Sequence, residues 1–202
     1  LRDMNLSKMV AQDVPLFLSL LSDLFPALGM PPGLPHTDLN SALTEVIETE
    51  GLVSHPSWRV KVIQLYETTL VRHGIMMVGP SGSGKSRVIG CLQDALTKTT
   101  MITHKRIRMN PKAIRAEEMF GETDKLTQEW VDGIFAQIWA KFNDKSRKDV
   151  QWIICDGPVD ALWIENLNTV LDDNKILTLA NGDRIPMVDN VKLMFEVEDL
   201  RN

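Results

Sequence analysis

The sequence predicts an α/β fold, a doubly wound parallel sheet with helices on its faces, and three observations carry that prediction. Gly79-Pro80-Ser81-Gly82-Ser83-Gly84-Lys85-Ser86 fits the phosphate-binding pattern G-x-x-x-x-G-K-[ST] without a mismatch. An apolar run, Ile75 to Val78, enters this loop, and a helical stretch, Arg87 to Leu96, leaves it. Strand, glycine turn and helix start are the context the pattern requires. Further on, Trp152-Ile153-Ile154-Cys155-Asp156 is an apolar run ending in an acid, the pattern of a central parallel strand covered on both faces.

The remaining elements alternate between the two periods. Residues 3 to 25 read as helical, with Met9, Val10, Val14, Leu16, Phe17, Leu20, Leu21, Leu24 and Phe25 at three- and four-residue steps. Pro15 suits the first turn of a second helix, where a missing N–H costs little. Pro26, Gly29, Pro31, Pro32, Gly33 and Pro35 then predict a loop. A helix is expected over 38–50, with Asp38 as its cap and Leu39, Leu43, Val46 and Ile47 as its apolar set. Another follows Pro56, from Ser57 to Val71, built on Val60, Ile63, Leu65 and Leu70.

Beyond the loop helix, Lys105 to Met109 reads as a strand stopped by Asn110-Pro111. Glu117 to Phe120 is helix-like, and Gly121 to Asp124 turns. Gln128 to Phe142 places Trp130, Ile134, Phe135, Ile138 and Trp139 on a helical stripe, a core pattern. Val159 to Leu171 is a helix candidate. Leu177 to Leu179, Asn181-Gly182 and Arg184-Ile185 predict a hairpin with a two-residue turn. Val191 to Phe195 is a last strand.

Composition narrows the function classes. The chain has 202 residues, 44% hydrophobic and 24% charged, a globular profile long enough for a real core. Its net charge of -5 gives no electrostatic footprint for nucleic acid or for an anionic membrane. No apolar run approaches the roughly 20 residues needed to span a bilayer, and no signal-peptide pattern opens the chain. Cys91 and Cys155 lack metal-ligand spacing, which fits a reducing, intracellular compartment. Leu1 at one end and Arg201-Asn202 at the other suggest a module excised from a longer chain.

The candidate site follows from the loop. Gly79, Gly82 and Gly84 allow successive N–H groups to curl round a phosphate, and the following helix adds its positive end. Pro80, Ser81 and Ser83 complete that cradle. Lys85 would reach the β- and γ-phosphates, and the Ser86 hydroxyl would ligate Mg²⁺. Asp156, at the end of an apolar strand, would hold the same Mg²⁺ through water. The reading is therefore ATP (or ADP) with Mg²⁺ as ligands. A hydrolysing ATPase of this kind wants a glutamate directly after that aspartate, and position 157 is Gly157. Asp160 and Glu165 are near in sequence but not adjacent, with Glu165 the better substitute base.

Several blocks resemble dynein heavy chain motors: residues 74–86, Met109 to Ile114, Glu129 to Phe135, Asp156 to Lys175 and Leu177 to Ile185. Together they are similar to the second of six AAA+ modules in the motor ring, of the axonemal, outer-arm type. The resemblance implies the large subdomain of an AAA+ P-loop NTPase with a parallel sheet flanked by helices. It also implies a β-hairpin insert and an N-terminal helical segment. Residues 1–50 would be a connecting segment and module entry, and 51–202 the nucleotide-binding core, cut before its helical lid. It implies a structural ATP site with no catalytic residue, inside a minus-end-directed microtubule motor of the ciliary axoneme, in cytoplasm and cytoskeleton. Partners would be neighbouring AAA+ modules, intermediate and light chains and microtubules, with neither nucleic acid nor membrane. Glu196, after the last strand, stands where active modules place a polar sensor asparagine. A hydrolysing, stand-alone P-loop ATPase is the competing reading.

Overall fold

The computed structural model describes residues 2–26, 29, 33, 35–159 and 161–200. Leu1, Pro31, Pro32, Asp160, Arg201 and Asn202, on which parts of the sequence reading fall, lie outside the described residues. The chain divides into two units, residues 1–72 with 87–101, and residues 73–86 with 102–202.

The first unit is helical. Helix α1 spans Arg2–Leu6 and α2 spans Val14–Leu24, the latter with Pro15 in its first turn as expected. The apolar residues of α2 are not a core set: none is buried, and Leu16, Leu20 and Leu24 are exposed. Helix α3, Thr37–Thr49, buries Leu39, Ala42, Leu43, Val46 and Ile47. Its N-cap is His36, in the left-handed region at φ 39°, so Asp38 sits in the first turn and does not cap. Helix α4, Pro56–Val71, begins on the proline itself and buries Val62, Leu65 and Thr69, while Val60 and Leu70 stay exposed. Of the expected apolar set, Leu65 is buried and Ile63 half-buried, so the stripe is displaced only at its ends. Arg59 ties α4 to α3 by donating to the Thr44 hydroxyl at 3.0 Å and the Asn40 carbonyl at 3.1 Å.

The second unit is built on a four-stranded sheet. Strand β1 is Gly74–Val78, and after the phosphate-loop residues comes helix α5, Lys85–Thr100, whose later turns belong to the first unit. Strand β2 is His104–Met109, stopped at Asn110-Pro111 by a 3-10 turn, Pro111–Ala113, that the Asn110 side chain caps. Helix α6, Ala116–Phe120, leads into a small antiparallel pair, β3 (Gly121–Thr123) and β4 (Trp130–Asp132). Helix α7 is Ile134–Phe142. Trp130 therefore lies on a strand and not on the helical stripe. The break is Gly133, where a Cβ would meet the Met119 carbonyl carbon and oxygen at 2.4 Å.

Strand β5, Val150–Asp156, is buried at every position from Gln151 to Cys155. The expected helix after it is broken into α8 (Ala161–Ile164), a 3-10 turn (Glu165–Leu167) and α9 (Asn168–Leu171). Strands β6 (Ile176–Thr178) and β7 (Arg184–Pro186) form the hairpin. Its turn is not the two-residue type. Gly182 N–H donates to Leu179 O at 3.0 Å and Leu179 N–H to Asp183 O at 2.9 Å. Only Gly182 takes positive φ, at 93°, so a type I turn ends in a left-handed glycine bulge. Strand β8, Val191–Val197, runs two residues past its expected end and takes in Glu196.

The sheet order is β1-β8-β5-β2, and all pairs are parallel. One core joins its inner strands to the helices of this unit: Ile153, Cys155, Leu193 and Phe195 cluster with Phe135, Trp139, Trp163 and Leu167. Because every strand runs the same way, the carboxyl ends of β1, β8, β5 and β2 share one edge, where ligands of open α/β sheets bind.

Candidate nucleotide site

That edge collects the chemistry. Strand β1 delivers the chain into the loop, whose first N–H, Gly79, donates to Val197 O at 3.1 Å. Ser83 N–H turns back to Pro80 O at 3.2 Å, and Gly82 and Gly84 take φ of 79° and 86°, torsions that need glycine. The loop thus turns tightly at Gly82 and Gly84. Helix α5 starts at Lys85, so Lys85 and Ser86 occupy its first turn. The Lys85 ammonium donates to Gly79 O at 2.5 Å and to Pro80 O at 3.0 Å, folded over the loop.

Asp156 closes β5 and pairs in register with Glu196 on β8. Strand pleating puts paired residues, and residues two apart, on one face. Arg108 pairs with Ile154, two before Asp156, so Asp156, Glu196 and Arg108 converge on one side of the sheet. One nitrogen, Arg108 Nη1, lies 2.7 Å from Asp156 Oδ2, 3.1 Å from Ser86 Oγ and 2.8 Å from Glu196 Oε1. Ser86 Oγ in turn donates to Glu196 Oε2 at 2.6 Å. Glu196 is 2% exposed, and its Oε1, though near the guanidinium, receives no well-directed hydrogen bond. Asp156 is more open, its side chain 46% exposed.

The structure therefore brings Ser86 and Asp156 to one cationic nitrogen. It also adds two residues that the sequence reading did not place in the site. Arg108 counted only as part of a strand, and Glu196 only as a replaced asparagine beyond a strand end. Their signal was alternation: a charge in the last two positions of a strand, facing the side of the acid that ends its neighbour.

Gly157 directly follows Asp156. Its N–H donates to Glu196 O at 3.1 Å, and a Cβ there would meet Asn110 Oδ1 at 2.8 Å. Glu165 is exposed at the start of its 3-10 turn. Cys155, next to Asp156, is buried, and burial pushes its thiol up to about 12, so it is protonated and inert at neutral pH.

Comparison with known proteins agrees with this geometry. The family model described as the AAA domain of the dynein-related subfamily matches residues 74–202. A second, described as the hydrolytic ATP binding site of the dynein motor region, matches residues 1–86. Dynein axonemal heavy chain 8 of Mus musculus is 55% identical over 202 residues, all of this chain and 4% of that protein. The dynein gamma chain of the flagellar outer arm of Chlamydomonas reinhardtii is 59% identical over 201 residues, again 100% of this chain and 4% of the relative. Dynein axonemal heavy chain 10 of Homo sapiens is 47% identical over 202 residues, with the same coverage of 100% and 4%. The chain spans a small fraction of the length of these relatives. With a matching family model over the sheet, the loop and the acid strand, the chain belongs to the dynein-related subfamily of AAA domains.

Proposed function

We propose that Gly79 to Ser86, with Asp156, form a site that holds ATP (or ADP) with Mg²⁺ and turns it over negligibly. The observation that carries this is the joining of Ser86 and Asp156 by one cationic nitrogen at 3.1 and 2.7 Å. A hydroxyl and a carboxylate within reach of one positive centre are the hard oxygen donors that Mg²⁺ prefers. Mg²⁺ bound there would neutralise phosphate charge. The loop's own parts do the rest. Its N–H groups and those at the start of α5 would donate to phosphate oxygens, and Lys85 would exchange neutral carbonyl partners for anionic ones.

Gly157 supports holding over hydrolysis, since it offers no side chain to position water. The word hydrolytic in one family description does not weigh against this, because that match ends at Ser86, before Asp156 and Gly157. A stand-alone hydrolysing ATPase remains the opposing outcome of the tests below.

The ring position and parent activity extend the same proposal. The two family matches overlap only over residues 74–86, which supports reading the helical N-terminal part as belonging to the end of one module and the sheet as the next. We assign residues 1–50 to a connecting segment and module entry, and 51–202 to the core of the second module. The parent would be an axonemal heavy chain of outer-arm type, a microtubule motor of the cilium. Its partners would be adjacent AAA+ modules, intermediate and light chains and microtubules. The names of the relatives support that location.

The direct test of binding is Lys85→Ala. Charge-assisted contacts are worth about 1.5–3 kcal/mol, so the affinity for ATP at this site should fall at least about tenfold. Equal affinity of wild type and variant by titration would overturn the site.

A further inference from the structure

We infer that Glu196 is a third cation-facing ligand group of this site, and that Arg108 is a built-in cation which a divalent ion must displace. The inference rests on the nucleotide-site reading and adds two residues to it. Three oxygens from three elements surround one point: Ser86 Oγ at the start of α5, Asp156 Oδ2 at the end of β5, and Glu196 Oε1 near the end of β8. Arg108 Nη1 fills it, 2.7 to 3.1 Å from each.

Two features argue that this is a cation position and not merely a surface ion pair. Glu196 is 2% exposed, and a buried carboxylate without a counter-ion is costly. Its Oε1 has no directed hydrogen bond and is aimed at the same point, an acceptor with unused capacity. The planar guanidinium cannot align an N–H to all three oxygens from one nitrogen. A spherical ion has no such constraint.

The carriers of the three oxygens are held by the sheet and a helix start, with β8 and β5 both internal strands. Arg108 is different. It rises from β2, the edge of the sheet, and its side chain is 35% exposed. The oxygens come from internal strands and a helix start, and the resident cation comes on a long side chain from an edge strand. Ser86 gains from Glu196 as well: by donating its proton to Oε2 at 2.6 Å, it keeps its lone pairs turned toward the cation point.

Arg108 and a divalent ion therefore compete. The test uses the full-length chain carrying these residues, freed of nucleotide and metal, with Mn²⁺ counted by electron paramagnetic resonance. Arg108→Gln is expected to bind one more Mn²⁺ than wild type without nucleotide, at least about tenfold more tightly at this position. Adding Glu196→Gln to Arg108→Gln should weaken that ion by about tenfold again. Melting curves with and without MnCl₂ give a second readout, since an ion that binds only the folded state raises its midpoint. Equal Mn²⁺ binding by wild type and Arg108→Gln, or no effect of the added Glu196→Gln, would overturn the inference. An ATP titration of the wild type separates the two levels. Lys85-dependent ATP binding with unaltered Mn²⁺ binding rejects only the role of Arg108 and Glu196, whereas no ATP binding rejects the nucleotide site itself.

Discussion

Phosphate release from this site is expected to run about 10²–10⁴-fold slower than from an AAA module with a positioned base. Three local facts lead there. Gly157 has no side chain, and its N–H is committed to Glu196 O at 3.1 Å. The space beside its Cα is filled by Asn110 Oδ1, 2.8 Å from a built Cβ. Asn110 is itself anchored, accepting from Lys112 N–H at 3.0 Å as the cap of the 3-10 turn. Restoring a glutamate by Gly157→Glu would therefore have to displace that cap before it could position water. The missing group corresponds to roughly 3–5 kcal/mol of barrier. Glu165 does not supply it, lying exposed on a separate turn. The check is a slow-turnover phosphate assay with the other nucleotide sites of the parent chain disabled, comparing wild type with Asp156→Ala. Both should release phosphate at the same background rate. Release that disappears in Asp156→Ala would show hydrolysis here.

Trp139→Ala should cost about 3–5 kcal/mol of folding stability, the range for emptying a buried tryptophan position. Trp139 is fully buried, stacks on Phe135 at 5.7 Å between ring centroids, and donates from its indole Nε1 to Ile185 O at 3.1 Å. It thereby pins the β6–β7 hairpin to α7. The alanine variant loses the packing and the indole donor together. Trp139→Phe keeps most of the ring packing and loses the donor, so its loss should be clearly smaller. Denaturant midpoints of the three proteins decide the matter, and an unchanged midpoint in Trp139→Ala would contradict the assignment of this core.

What was legible in the sequence was local. The phosphate loop is a run of eight neighbours whose glycines dictate torsion, and Gly82 and Gly84 do take positive φ. Strand β5 was legible because a run of large apolar residues has few other uses. Other elements failed where the deciding partner is distant. Leu65 is buried as its stripe requires, but Val60 and Leu70 are exposed and burial adds Val62 instead. Trp130 fits the stripe of α7, but close approach of the Met119 backbone to Gly133 breaks the helix first. Asn181-Gly182 suggested two left-handed residues, and the chain needs only one because the loop is longer. Arg108 and Glu196 lie 88 residues apart (196 minus 108) and meet only through the register of β2, β5 and β8. Alternation marks each charge within its own strand, and the register alone brings the two together.

A site that keeps ATP intact carries that nucleotide through purification. The full-length protein should be purified as wild type and as Lys85→Ala, with any other nucleotide sites it carries blocked, then denatured and its nucleotides separated. The wild type should release one nucleotide more than the variant, and that nucleotide should be ATP. Equal nucleotide content in the two proteins would overturn the site, and an excess consisting of ADP would overturn the retention of intact ATP.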